Sequence, residues 1–199
     1  MINQFLCRLV SRESSDNVFN PYEDKAVANN LRAYLEYMLH NYKDGILLVG
    51  EAPGHKGCKI TGVPFTSGEV IRSAKHKIFK DIGNKINLSK EEKETTAKIV
   101  WHYLEGKSTI PLFWNAFPFH PHPKNNRNKN RQPNTDEVKE GLTYLKNLID
   151  IFTPRTIAGI GRFGTSCAQR ACADKKVDYI RHPSYGGKND FLDGIKKII

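Results

Sequence analysis

The stretch Ile46-Leu47-Leu48-Val49-Gly50-Glu51-Ala52-Pro53-Gly54 decides the fold class. Four consecutive apolar residues ended by glycine read as a short strand buried on both faces, the pattern of a parallel sheet covered by helices. Residues 50–67 then hold four glycines and two prolines, too many for regular structure, so the strand opens into a long shaped loop.

The same strand-then-turn order recurs three times further on. Ile110 to Trp114 is a second strand, Thr156 to Ile160 a third that ends at Gly161, and Val177 to Ile180 a fourth that ends in Arg181-His182-Pro183-Ser184. Helical spacing fills the intervals. Residues 24–43 place Val27, Leu31, Tyr34, Leu35, Met38 and Leu39 on one face, with Asn20-Pro21 as a start signal. The period resumes at Ile71, Ala74, Ile78 and Phe79, and Ser89 to Glu92 reads as a capping box for a helix reaching about Leu104. Thr135 caps a helix carrying Val138, Leu142, Leu145, Ile149 and Phe152, 162–173 is a short helix, and Asn189 caps a last one with Leu192, Ile195 and Ile199.

Strands alternating with helices predict one α/β domain over 1–199. It is a three-layer α/β/α sandwich with a central four-stranded, mainly parallel sheet, and 1–45 packs on it as an N-terminal helical segment. In such sheets a ligand site lies off the carboxyl ends of the strands. The loops 50–67, 115–134, 161–164 and 181–188 are therefore expected to be neighbours. The second of these, NAFPFHPHPKNNRNKNRQPN, reads as a long loop without structure of its own, a kind that is usually functional or disordered.

With 31 Lys and Arg against 21 Asp and Glu, the formal charge of +10 favours a polyanionic partner such as nucleic acid, although a solvated basic surface gives the same count. Cys7, Cys58, Cys167 and Cys172 are scattered and contain no CxxC pair, so neither a zinc ribbon nor a disulfide framework is indicated, and a reduced, intracellular protein is expected. No apolar stretch approaches the roughly 18 residues of a membrane span, and the N-terminus lacks a signal pattern. His120 and His122 in FHPHP, with His55 or His102, have no clear third ligand, so no metal is expected. A phosphate cradle would require a GxxxxGK[ST] or GxGxxG pattern, and neither occurs.

GEAPG at 50–54, TGVPF at 61–65, Asn115 directly after a strand, NRQPNTDEV at 130–138 and HPS at 182–184 occur in an order and spacing that resemble the uracil-DNA glycosylase superfamily over residues 46–199. The pattern is closest to that of its family 4. The resemblance implies hydrolysis of the N-glycosidic bond of a deaminated base, uracil first, flipped out of DNA to leave an abasic site. It implies that Phe65 stacks on the base and that the Asn115 amide reads O4 and N3. Backbone at Gly50, Glu51 and Ala52 would hold O2, His182 would donate to the departing base, and Glu51 would position water or face the sugar cation. Arg127, Lys129, Arg131 and Lys188 are then expected at phosphates. Tyr185 would act as a wedge in the vacated stack, with Arg181 and Ser184 beside it at the DNA.

Two departures qualify the resemblance. The cysteines do not match the iron–sulfur ligands of family 4, so no cofactor is expected. Ala52 stands where the best-known members carry Asp, and His55-Lys56-Gly57-Cys58 replaces a further acid of the loop. Base preference therefore stays open, hypoxanthine included. The alternative is a DNA-binding or damage-sensing module of the same fold with little catalysis. The expected partner is DNA, with the protein acting as a monomer.

Overall fold

The structure, a computed structural model, describes all 199 residues. In chain order the elements are α1 (Ile2–Val10), β1 (Val18–Phe19), α2 (Lys25–Tyr42), β2 (Ile46–Gly50), α3 (Cys58–Thr61), α4 (Gly68–Ser73), α5 (Lys77–Ile82), α6 (Thr95–Leu104), β3 (Leu112–Asn115), β4 (His120–Pro121), α7 (Thr135–Phe152), β5 (Thr156–Ile160), α8 (Gly161–Ala171), β6 (Asp178–Ile180) and α9 (Lys188–Lys196). The central sheet runs β3-β2-β5-β6 with every pair parallel, and helices flank it. A separate two-stranded pair, β1 with β4, is antiparallel.

Leu47, Leu48 and Val49 of β2 have no exposed surface, as expected for an apolar run at the centre of a sheet covered on both sides. The chain leaves β2 to form β3 on one side and β5 on the other, so the strand order reverses at β2 and a crevice opens at its carboxyl end. Register sets the crevice floor: Gly50 pairs with Asn115, one step beyond the pair of Val49 and Trp114. The ladder continues past the strands, with Ala116 N–H donating to the Gly50 carbonyl (2.9 Å) and Phe117 N–H to that of Glu51 (3.0 Å). The GEAPG turn is thereby tied to the segment after β3.

Glycines permit the closest approaches. A Cβ on Gly164 of α8 would lie 2.1 Å from the Val49 carbonyl oxygen, and one on Gly159 of β5 would meet the Thr165 backbone at 2.1 Å. Helix α8 thus lies directly on the sheet at the crevice. The first helix completes the core: the Phe5 ring sits 5.4 Å from that of Trp114 and 6.3 Å from that of Tyr144.

Several local expectations change. The Ser89 capping box does not form. Helix α6 begins five residues later, where the Glu94 carboxylate accepts from Thr96 N–H (3.0 Å) and Ala97 N–H (2.7 Å). Residues 89–92 are held outside a helix by Glu69 N–H, which donates to the Glu92 carbonyl, and by Arg72, which pairs with Glu91. The helical period at 71–79 is cut in two at Ala74, because the His76 side chain accepts from Ile78 N–H and starts α5 afresh. Asn134 rather than Thr135 caps α7, in a full capping box with Glu137, and Gly187 rather than Asn189 precedes α9. The segment 115–134 is not structureless: His120 and Pro121 pair with Phe19 and Val18. Residues 115–122 are held by buried side chains, which a strand or helix period does not register.

Candidate active site

The carboxyl ends of the central strands, together with the start of α6, enclose a cavity of about 820 Å3. Glu51, Ala52, Phe65, Asn115, Arg181, His182, Ser184 and Tyr185, expected there from sequence, all line it. Gly50 lies just beneath. A Cβ at Gly50 would come within 2.5 Å of the Phe65 ring and 3.1 Å of Asn115 Oδ1, so only glycine lets ring and amide both press on the end of β2.

Phe65 holds a left-handed backbone (φ 56°), a conformation that costs a non-glycine residue about 1 kcal/mol or more. Two contacts hold it there. Its carbonyl accepts from the Trp101 indole N–H at 2.9 Å, and its ring packs 5.2 Å from that of Phe113. The Asn115 side chain is 4% exposed, and its Nδ2 lies 3.8 Å from the sulfur of the buried Cys58.

His182 has a defined tautomer. Ser184 N–H donates to its Nδ1 at 3.2 Å, so in the neutral ring the proton resides on Nε2. Burial pushes its pKa below the ordinary 6.5, with the Glu94 charge opposing that shift and Arg181 adding to it. The loop that carries it folds back sharply: a Cβ on Gly187 would be 2.2 Å from the His182 carbonyl oxygen. At its tip Tyr185 is 98% exposed and left-handed (φ 53°).

Burial raises the pKa of Glu51, while a hydrogen bond with Gln132 acts against the rise. Gln132 belongs to the NRQP stretch, which is fastened to the GEAPG loop by Asn130 Oδ1, an acceptor for His55 N–H at 3.0 Å. His120 of FHPHP is a strut in the same assembly. His120 has no exposed surface, and its ring lies between the carbonyls of Pro53 (Nδ1, 2.7 Å) and Arg127 (Nε2, 3.0 Å). Burial pushes its pKa down to about 4. A neutral ring donates from only one of its nitrogens, so the second contact is an imperfect one that burial enforces.

The expected phosphate contacts divide. Arg127, Lys129 and Lys188 are exposed. Arg131 is instead committed internally: its guanidinium donates twice to Glu137 (both 2.8 Å) and also to the carbonyls of Asn17 and Gln132 (2.9 Å each). Burial pushes the Glu137 carboxyl up, but the Arg131 and Asn134 hydrogen bonds outweigh it and leave its pKa lowered. Arg131 lines the cavity as a fixed positive charge, its donors already engaged.

The sequence reading missed Glu94 and Thr96 of α6, Gln132, and Arg162 and Phe163 at the start of α8, all of which line the cavity. Glutamate is not among the preferred N-cap residues, so Glu94 carried no start signal, and the capping box at Ser89 drew the boundary to the wrong place.

No curated protein sequence matches the chain. Among solved structures, the crystal structure of wild-type SMUG2 from Pedobacter heparinus is similar at a TM-score of 0.67 and 14% identity, covering 98% of this chain and 94% of that one. At that identity the likeness establishes the fold. The sequence model of the Uracil DNA glycosylase superfamily matches residues 17–196, nearly the whole chain and every segment that lines the cavity. The chain belongs to the uracil-DNA glycosylase superfamily.

Proposed function

We propose that this protein is a DNA glycosylase that hydrolyses the N-glycosidic bond of a flipped deaminated base, uracil first, and leaves an abasic site. Superfamily membership supports a DNA glycosylase. The observation that carries the finer reading is the Ser184 N–H donated to His182 Nδ1, in a cavity also lined by Phe65 and Asn115. It presents a neutral imidazole with its proton on Nε2, the form that can donate to an oxygen of the departing base.

The chemistry follows from those positions. When the bond between C1′ and the base breaks, the electron pair leaves with the base, and negative charge grows on its oxygens. A fixed donor aimed at that charge supports the transition state more than the ground state, and such donors contribute about 3 kcal/mol each. Phe65 stacks on the base, Asn115 offers an acceptor and a donor to N3–H and O4, and the backbone at Gly50 to Ala52 faces O2. Water then adds to C1′. Its proton passes to Glu51, a carboxylate whose raised pKa suits it to accept one. Tyr185 fills the vacated stack, and Arg127, Lys129 and Lys188 meet phosphates. The protein works on DNA as a monomer in a reduced intracellular setting.

The deciding experiment is base release from oligonucleotides containing uracil, hypoxanthine, xanthine or mispaired thymine, in single and double strands. Free uracil and an abasic site, lost in His182→Ala and Asn115→Ala, support the reading. Release of only another base reassigns the substrate. Ala52, which cannot activate water, favours a second reading as a damage-sensing module. Lesion-preferring, salt-dependent binding with no base released would establish that one.

A further inference from the structure

The first turn of α6 brings to the cavity a carboxylate for which the reading above has no use. Glu94 lines the cavity with Glu51 and His182. Both its oxygens are held in place by backbone donors, Thr96 N–H at 3.0 Å and Ala97 N–H at 2.7 Å, so the group is oriented without freedom to swing. It packs against the base-binding loop: a Cβ on Gly57 would lie 3.4 Å from Glu94 Cγ, which places the carboxylate beside the segment 55–58 that has no acid of its own. Two residues on, Thr96 Oγ1 lies 3.3 Å from Ser184 Oγ and joins the same turn to the histidine loop.

We propose that Glu94 is a second carboxylate of the active site, a fixed negative charge beside His182 that faces the cation formed at C1′. The inference rests on the glycosylase reading above. A bare capping role would need Glu94 only to hold two N–H groups, a task that leaves its position in the cavity and the Thr96 link to Ser184 unused.

Charge balance divides the work between the two acids. Heterolysis leaves an anionic base and a cationic sugar. His182 Nε2–H acts on the first, and a carboxylate held rigidly in a water-poor site acts on the second without reorganising. Water then forms the C1′–O bond and releases one proton to Glu51, which passes it to the base anion, while Glu94 stays a carboxylate throughout. The two acids are thus separated into a proton acceptor and a permanent charge, the usual outcome when one cavity holds two carboxyl groups in different environments.

The Glu94 charge also reaches His182, whose pKa it raises against the lowering by burial and by Arg181. Glu51, Cys58, Arg131, Arg162, Tyr179 and Tyr185 are the other ionisable groups that line the cavity around this ring, and none of them is altered in a Glu94 variant.

Two variants and two measurements test the proposal. Glu94→Gln keeps the shape and one capping acceptor and removes the charge, while Glu94→Asp keeps both charge and cap. The expected result for Glu94→Gln is a fall in single-turnover base release of about tenfold or more with DNA affinity unchanged, and a move of the His182 titration, followed by NMR of its ring, to lower pH. Glu94→Asp should leave the His182 titration near its original position. The proposal is overturned if Glu94→Gln, folded by thermal melting, retains full turnover and an unmoved titration, which would make Glu94 a helix cap only. A wild-type protein that releases no base from any substrate refutes the glycosylase reading and with it the role at C1′. Because the titration is read without turnover, it still shows whether the carboxylate acts on His182.

Discussion

Replacing Gly50 by alanine should disable base recognition without touching any group that performs chemistry. The added methyl would sit 2.5 and 2.7 Å from two carbons of the Phe65 ring and 3.1 Å from Asn115 Oδ1. Ordinary contact begins near 3.4 Å, so the ring must retreat by about 0.9 Å and the amide by a few tenths of an ångström. The ring has little room. Behind it lies Phe113, and the Phe65 backbone is already in the left-handed region with its carbonyl held by Trp101. Overpacking of this kind costs about 1–3 kcal/mol. For a chain of this length that lowers the melting temperature by roughly 2–12 °C. Misplacing a bound group by about 1 Å costs on the order of 100-fold in rate. Single-turnover base release and thermal melting, measured on the same preparation, should therefore show a loss of activity far out of proportion to the loss of stability. Wild-type turnover in a folded Gly50→Ala protein would refute the claim that ring and amide form one recognition surface on β2.

Further outcomes follow from the geometry. Arg131→Ala should destabilise the protein by about 3 kcal/mol, since it leaves the buried Glu137 carboxylate without its bidentate partner. Arg127→Ala should leave denaturant midpoints unchanged and flatten the salt dependence of DNA binding by about one unit of slope. Equal effects of the two on salt dependence would contradict the division drawn here. Tyr185→Ala should weaken binding to lesion-containing duplex by about 1–3 kcal/mol with no change in melting temperature, because the ring is 98% exposed; a stability loss would mean that it packs rather than wedges. The pH dependence has a definite sign. His120 has a folded pKa of about 4 against 6.5 unfolded, so its contribution is fully present above pH 6.5 and is lost as pH falls toward 4. At about 1.4 kcal/mol per unit this is on the order of 3 kcal/mol, readable as a drop in denaturant midpoint between pH 7 and 4 that His120→Gln reduces. With His182 also lowered by burial, the acid limb of turnover should lie below pH 6.5, and turnover that instead falls as pH rises through that range would show that the protonated ring is the active form.

The four strands of the central sheet were legible because each lies in a short apolar run closed by a turn, whereas β1 and β4, two residues each, carry no such run. Ile46 to Gly50 and Thr156 to Ile160 fall where the run lengths place them. Helix starts were less legible. At Ser89 the sequence satisfies a capping box, yet the backbone of Glu92 is taken by Glu69 and the helix waits for Glu94. A capping motif states what a helix would use if it began there, and long-range pairing decides whether it does.

Sequence by itself determined the fold class, the loops that meet, and the residues Phe65, Asn115 and His182 as members of one cavity. The fold class and the meeting loops follow from periodicity along the chain, and the three residues from the resemblance of the motif order to a known family. Tertiary structure decided which charges are available and in what form. Arg131 is in the basic stretch but spends its donors on Glu137, His120 looks like a ligand but braces loops, and Glu94 reaches the cavity from a helix whose start gave no signal. Charge and hydrogen-bond capacity are assigned by neighbours distant in sequence, and those neighbours become defined only when the strands and the α6 turn have packed.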